Sequence, residues 1–145
     1  RIDASNADES FTRNRIRHSL LPMLEQQFNP QVRTALLRLG TQAAETQAVI
    51  DQLALPLLES SIQERQPCCV RIDCSKLRDE PAQLVRAGFV QLWKQQNWPL
   101  QRMGFADWNR LLDVLHDGLA TTLPGGIDAR RRKHELVITR PENDR

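Results

Sequence analysis

The chain has 145 residues and a formal net charge of only +2, with 40% hydrophobic and 26% charged residues. This length gives one core, or one small domain with a helical extension, and the composition is typical of a soluble globular protein. No apolar run reaches the length that spans a bilayer, and no signal peptide is visible. The small net charge does not by itself predict nucleic-acid binding, so any basic patch has to be local.

The first segment predicts a loop that leads into a helix rich in arginine. Its apolar residues recur at helical spacing and are expected to face a core: Ile16, Leu20, Met23 and Leu24. Arg13 and Arg17 are four residues apart and project from one helix face, with Asn14 and His18 beside them. Guanidinium groups bind phosphate and carboxylate through paired hydrogen bonds. This face is therefore either an anion-binding surface or a solvated face with salt bridges to nearby carboxylates.

A second helix is predicted after the break at Asn29-Pro30. Its apolar residues keep a three-four rhythm over about seven turns, which predicts a long amphipathic helix over residues 29–62 with a kink at Pro56. The helix is either a spacer arm between two domains or a core helix of a compact bundle.

The rest of the chain predicts short elements. Residues 68–73 alternate as in a strand, and helices follow Pro81 and Phe105. Residues 120–123, 127–132 and 135–139 predict further strands joined by tight turns. The fold class expected is mainly α, a helical array with the long amphipathic helix and a small antiparallel β element near the C-terminus.

Three cysteines, Cys68, Cys69 and Cys74, lie on one short stretch. An odd number of neighbouring cysteines is typical of a reducing compartment, and we expect a cytoplasmic protein. The cysteines have no second ligand pair at zinc-finger spacing, so no metal site is expected.

The densest positive run comes late in the chain, at residues 130–134. In a hairpin, Arg130 and Arg132 share one side and, with Lys133, are candidates for contacts with nucleic-acid phosphates that would make binding depend on salt. The alternative is an edge strand that charge protects against pairing with other strands. The tryptophans have helical spacing with leucines, which favours core packing over base stacking.

The opening residues resemble a known family. The run Asp3-Ala4-Ser5-Asn6, then Arg13-Asn14-Arg15-Ile16-Arg17-His18 and Leu20-Leu21-Pro22, resembles the segment after the nucleotide-binding domain of tRNA(Ile)-lysidine synthetases. The resemblance extends over essentially the whole chain, and its specific motif lies in residues 3 to 22.

The resemblance implies part of a ligase that attaches lysine to a cytidine in the anticodon of tRNA(Ile), with ATP and Mg as cofactors. It places Arg13, Asn14, Arg17, Asp3 and Asn6 near the substrates. The implied partners are tRNA(Ile) and lysine, with no membrane, and a homodimer remains an option.

One departure from the family stands out, because the Gly-rich Ser-Gly-Gly-x-Asp-Ser phosphate loop does not occur in this sequence. We therefore expect an excised piece that is inactive alone. Residues 1–28 would be the tail of an ATP-pyrophosphatase-type catalytic domain with the arginine helix, and residues 29–62 the linker or core helix. Residues 63–140 would be a small helical substrate-binding domain with a β hairpin, and residues 141–145 a frayed tail.

Three alternative functions remain compatible with the sequence. The chain is alternatively a non-catalytic helical module that binds RNA or protein, a different ATP pyrophosphatase such as a base thiolase, or a structural protein whose basic runs serve solubility. Base thiolases commonly need cysteine pairs or metal sites, and the cysteines here show neither.

Overall fold

The computed structural model describes residues 10–141, and the chain divides into two compact units, Arg1–Thr46 and Gln47–Arg145. The expected site residues Asp3 and Asn6 lie outside the described residues. The α-helices are α1 (Thr12–Arg15), α2 (Leu21–Gln27), α3 (Val32–Ser61), α4 (Ala82–Gln95) and α5 (Phe105–Asp117). The strands are β1 (Ile62–Gln66), β2 (Cys69–Asp73), β3 (Thr121–Leu123), β4 (Ile127–Arg132) and β5 (Glu135–Thr139).

The first unit begins with a helical run in which a π-helical segment, Ile16–Leu20, connects α1 to α2. Helix α2 ends at Gln27, and the Asn29 Oδ1 atom accepts a hydrogen bond of 2.8 Å from the Gln31 backbone amide just before α3. This side-chain turn confirms the expected break at Asn29-Pro30.

Helix α3 is as long as the sequence predicts, at 30 residues, and contains Pro56. Its amphipathic character is only partial. Leu36, Leu39 and Leu53 keep the apolar rhythm but are 49%, 62% and 58% exposed, whereas the buried positions are confined to the end of the helix, from Ala54 onward. Among residues 10–141 no helix is both long and apolar enough to cross a membrane.

The second unit contains a five-stranded antiparallel sheet in the order β1-β2-β5-β4-β3. The expected helical array with a small late β element is therefore wrong. Strand β2 pairs with β5 through Val70–Ile138 and Ile72–Leu136, which joins the hairpin at residues 62–73 to the late strands. The sequence conceals β1 because it is an edge strand with four consecutive exposed residues, and such a strand lacks apolar alternation.

The core lies between one face of this sheet and the helices of the second unit. Val70, Ile72, Leu136 and Ile138 are fully buried in one cluster with Phe89 and Leu111, among others. The Trp93 ring is at its centre, 4.8 Å from the Trp98 ring and 5.2 Å from the Trp108 ring, in edge-to-face contacts. The tryptophans are thus core residues, as their helical spacing predicts.

Candidate functional site

The opposite face of the sheet is open and carries most of the charge of the strands. We call it the outer sheet face, and it contains a shallow cleft of about 390 Å³. The cleft is lined by Cys69, Arg71, Asp128, Arg130, Arg132, Val137 and Thr139. These residues alternate with the buried core residues along β2, β4 and β5, as the two-residue period of a strand requires. The sheet thus separates an apolar core side from a basic outer side.

Arg71 lies at the middle of the outer sheet face. It pairs in register with Val137, which pairs in turn with Arg130. Its guanidinium contacts Glu64 Oε2 at 2.9 Å and Glu135 Oε2 at 3.1 Å. The hydrogen bond to Glu135 and the charges of both carboxylates raise the pKa of Arg71, so this side chain stays charged. Arg71 is thus a cation held in place by its neighbours.

Arg130 and Arg132 are less constrained than Arg71. The Arg130 side chain is 62% exposed, and its nearest carboxylate, Asp128, lies 4.0 Å away. Arg132 is also exposed, and Lys133 occupies the turn to β5 with a φ of 57°. Within residues 10–141 no carboxylate forms an ion pair with Arg132 or Lys133. These three cations are therefore available to an anionic ligand.

Arg131, between them in sequence, faces the other way. Its Nη1 donates hydrogen bonds to the carbonyl oxygens of Leu115 and His116, at 2.9 and 2.8 Å. These carbonyls end α5, where a cation also offsets the helix dipole. Arg131 is a structural cap, not a ligand contact.

Removing this cap tests whether Arg131 stabilises the fold while its exposed neighbour Arg130 does not. We expect Arg131→Ala to lower the free energy of unfolding by about 1.5–3 kcal/mol, because charged hydrogen bonds to half-buried carbonyls are lost. Arg130→Ala removes the same charge from the exposed side and is the matched control. Urea unfolding followed by circular dichroism measures both, and equal stability losses would contradict this distinction.

The arginine helix of the first unit has a different character. Arg13 and Arg17 are both exposed, and the Arg13 guanidinium lies over the Phe11 ring, 5.4 Å from its centroid. Asn14 is 3% exposed and so does not share the solvent-facing surface of its neighbours. The expected apolar side is not in a core, because Ile16 and Leu20 are each 42% exposed.

The cysteines contribute little chemistry. Burial raises the pKa of the Cys74 thiol, which keeps it protonated and weakly nucleophilic. Cys68 and Cys69 are half-buried free thiols. In the described part of the chain, no three His, Cys, Asp or Glu residues come together in a way that could hold a metal ion.

Comparison with known proteins gives a consistent match along the chain. It is 27% identical over 143 residues to a tRNA(Ile)-lysidine synthase of Chlamydia pneumoniae, which covers 96% of this chain and 40% of the relative. It is 26% identical over 143 residues to the enzyme of that name from Vibrio cholerae, covering 99% of the chain and 32% of the relative. A Chlamydia muridarum protein of the same name is 43% identical over 60 residues, or 41% of the chain and 19% of the relative.

The chain is similar to tRNA(Ile)-lysidine synthases along most of its length. No family model matches it. The chain spans about a third to two fifths of the length of the tRNA(Ile)-lysidine synthases that it matches along most of its own length.

The glycines of this chain are not placed as a phosphate-binding loop for ATP requires. Gly40 and Gly88 lie inside helices, and Gly104 and Gly118 are at the ends of α5. The remaining pair, Gly125-Gly126, forms the turn between β3 and β4. None of them lies in a loop that leads from a strand into a helix, which is the setting of a phosphate-binding loop.

The basic run of the sequence indicates Arg130 and Arg132 as phosphate contacts, but it does not include Arg71. The available signal was the alternation in Cys69-Val70-Arg71-Ile72, which puts Arg71 opposite the apolar residues of its strand. The register that places it beside Val137 and across from Arg130 joins residues far apart in the sequence and could not be found from β2 alone.

Proposed function

We propose that this chain is part of an ATP-dependent ligase that attaches lysine to a cytidine in the anticodon of tRNA(Ile), and that its outer sheet face binds tRNA phosphates. The matches along the chain support the ligase, since relatives that cover 90–99% of it bear the name tRNA(Ile)-lysidine synthase. ATP, with Mg, would bind to a part of the ligase other than these residues.

The observation that carries the tRNA-binding role is the arrangement on the outer sheet face. Arg71 and Arg130 lie on either side of Val137 across three paired strands, and Arg132 extends the row. A row of guanidiniums over an open cleft suits the phosphate backbone of RNA, because each can form paired hydrogen bonds with phosphate oxygens. The Glu64 and Glu135 carboxylates fix Arg71, while Arg130 and Arg132 can adjust to the ligand.

A second role is proposed for the arginine helix. Arg13 and Arg17 would contact the anionic groups of the substrates near the reacting cytidine, together with Asn14, Asp3 and Asn6. Support comes from the family motif that contains these residues and from the exposure of both guanidiniums. The Phe11 ring beneath Arg13 limits the rotation of that guanidinium and so reduces the entropy it loses on binding.

The alternative function is a non-catalytic module that binds RNA or protein. The same outer sheet face would serve an RNA-binding module equally well. An assay of lysine transfer distinguishes the two functions, because only the ligase catalyses it. Salt-dependent tRNA binding is expected for both the ligase and the RNA-binding module.

The salt dependence of binding tests the outer sheet face. We expect Arg130→Ala combined with Arg132→Ala to reduce the slope of log affinity against log salt by about two units, because each lost phosphate contact releases about one fewer counterion. Fluorescence anisotropy with a labelled tRNA(Ile) transcript between low and moderate salt gives the slope.

A matched control removes two arginines that lie elsewhere. Arg65 is paired with Glu59 at 2.9 Å, and Arg110 is paired with Asp107 on α5. The variant Arg65→Ala with Arg110→Ala loses the same charge, so its slope is expected to stay near that of the unmodified chain. If both double variants change the slope equally, binding follows overall charge and the outer sheet face is not the site.

A further inference from the structure

A second basic cleft lies at one end of the sheet, outside the outer sheet face. It has a volume of about 460 Å³, within the range of about 300–1,000 Å³ that is usual for ligand sites. Pro99, Arg102, Gly125, Gly126 and Arg140 line it. Neither the arginine motif nor the late basic run includes any of these residues.

The glycine turn in this cleft is held by close packing. A Cβ atom on Gly125 would lie 2.6 Å from Pro99 Cγ, and one on Gly126 would lie 3.3 Å from Pro141 Cγ. Both glycines also have positive φ, at 87° and 72°. The turn between β3 and β4 is therefore fixed between two prolines, and only glycine allows that approach.

The same packing places an arginine on each side of the turn. Arg102 ends the 3-10 helix Leu100–Arg102 that follows Pro99, and Arg140 immediately precedes Pro141. The Arg140 backbone amide donates to the Cys68 carbonyl at 2.8 Å, which anchors that side. Within residues 10–141 neither guanidinium forms an ion pair with a carboxylate.

The backbone of the turn offers donors as well. In the described part of the chain, the turn and loop hydrogen bonds leave the amides of Gly125 and Gly126 without a backbone acceptor. Successive amides in a turn with positive φ form a concave surface that attracts anions. The Arg140 Nη1 donates a long hydrogen bond of 3.4 Å to the Asn97 carbonyl, which leaves its other donors for a ligand. Together with the Arg102 guanidinium and the two glycine amides, it provides charge and directed hydrogen bonds to one tetrahedral group.

We propose that Arg102, Arg140 and the Gly125-Gly126 turn form a binding site for a phosphate group. The phosphate belongs either to the backbone of an RNA or to a small phosphorylated molecule, and the chemistry of recognition is the same in both. The site lies apart from Arg130 and Arg132, so it does not depend on the proposed role of the outer sheet face.

Nuclear magnetic resonance of the ¹⁵N-labelled chain tests this site directly. Inorganic phosphate is titrated against sodium chloride at equal ionic strength and pH. We expect saturable shifts of the Gly125 and Gly126 amide signals with phosphate only. Arg102→Ala combined with Arg140→Ala is expected to weaken phosphate binding by about tenfold or more, because two charged hydrogen-bond partners are lost.

Controls separate this site from overall charge and from the outer sheet face. Arg65→Ala with Arg110→Ala has the same charge loss and should keep the glycine response, as should Arg130→Ala with Arg132→Ala. Unchanged amide signals in the core show that each variant is folded. The proposal is overturned if phosphate causes no saturable shift at the two glycines, or if the Arg102 and Arg140 variant responds like the unmodified chain.

A second titration identifies the source of the phosphate. If the RNA backbone supplies it, a tRNA(Ile) transcript shifts the same glycine amides and inorganic phosphate competes with it. If a small molecule supplies it, the transcript leaves these signals unchanged while phosphate still shifts them. Both results support the site, and they differ only in its ligand.

Discussion

Replacing Arg13 by alanine is expected to lower lysidine formation by about tenfold or more in the proposed ligase, a loss of about 1.4 kcal/mol in transition-state stabilisation. The side chain is exposed and rests on the Phe11 ring, so its removal leaves no cavity and no unpaired group in a core. Transfer of labelled lysine to a tRNA(Ile) transcript measures the activity, and thermal unfolding shows that stability is unchanged.

Arg15 provides the matched control on the same helix. It is also exposed, and its Nη2 donates to Thr12 Oγ1 at 3.3 Å within the same turn. Arg15→Ala removes the same charge and should retain most of the activity. Near-normal turnover by the Arg13 variant, or an equal loss in both variants, would remove Arg13 from the site.

The largest effect on stability is expected at Trp93. Its side chain is fully buried and contacts the Trp98 and Trp108 rings edge to face. Trp93→Ala should lower the free energy of unfolding by about 3–5 kcal/mol, because a large cavity replaces these contacts. This is a large part of the stability of a small domain, and urea unfolding measures it.

Trp93→Phe serves as the comparison. The Trp93 Nε1 atom is buried without a hydrogen-bond partner, so the indole gives up hydration there and gains no bond in return. Phenylalanine removes this polar group and fills most of the space, and we expect it to restore most of the stability lost in the alanine variant. If the phenylalanine variant loses as much stability as the alanine variant, filling the space with a ring that has no polar group does not offset the loss of the indole.

Local patterns were sufficient for the elements with a clear period. The break at Asn29-Pro30 and the long helix α3 follow from proline geometry and apolar spacing. The Gly125-Gly126 turn follows from the positive φ that glycine tolerates. The fold class was wrong because it depends on the pairing of β2 with β5, between residues more than sixty positions apart.

The candidate site shows the same limit. Alternation along a single strand separates Arg131 from Arg130 and Arg132, because neighbouring side chains of a strand point to opposite faces. The position of Arg71 on the outer sheet face depends on contacts between distant segments of the chain. The same is true of Arg102 and Arg140, which line one cleft although they are far apart in the sequence. Such contacts leave no mark in any one stretch of sequence.

The most direct test of the account is lysine transfer by the protein that contains this chain. Purified protein is incubated with ATP, Mg and labelled lysine, and with either a tRNA(Ile) transcript or the same transcript with its anticodon cytidine replaced by uridine. We expect label in the first RNA and none in the second. Absence of label in both RNAs, or equal label in the two, would contradict the proposed ligase function.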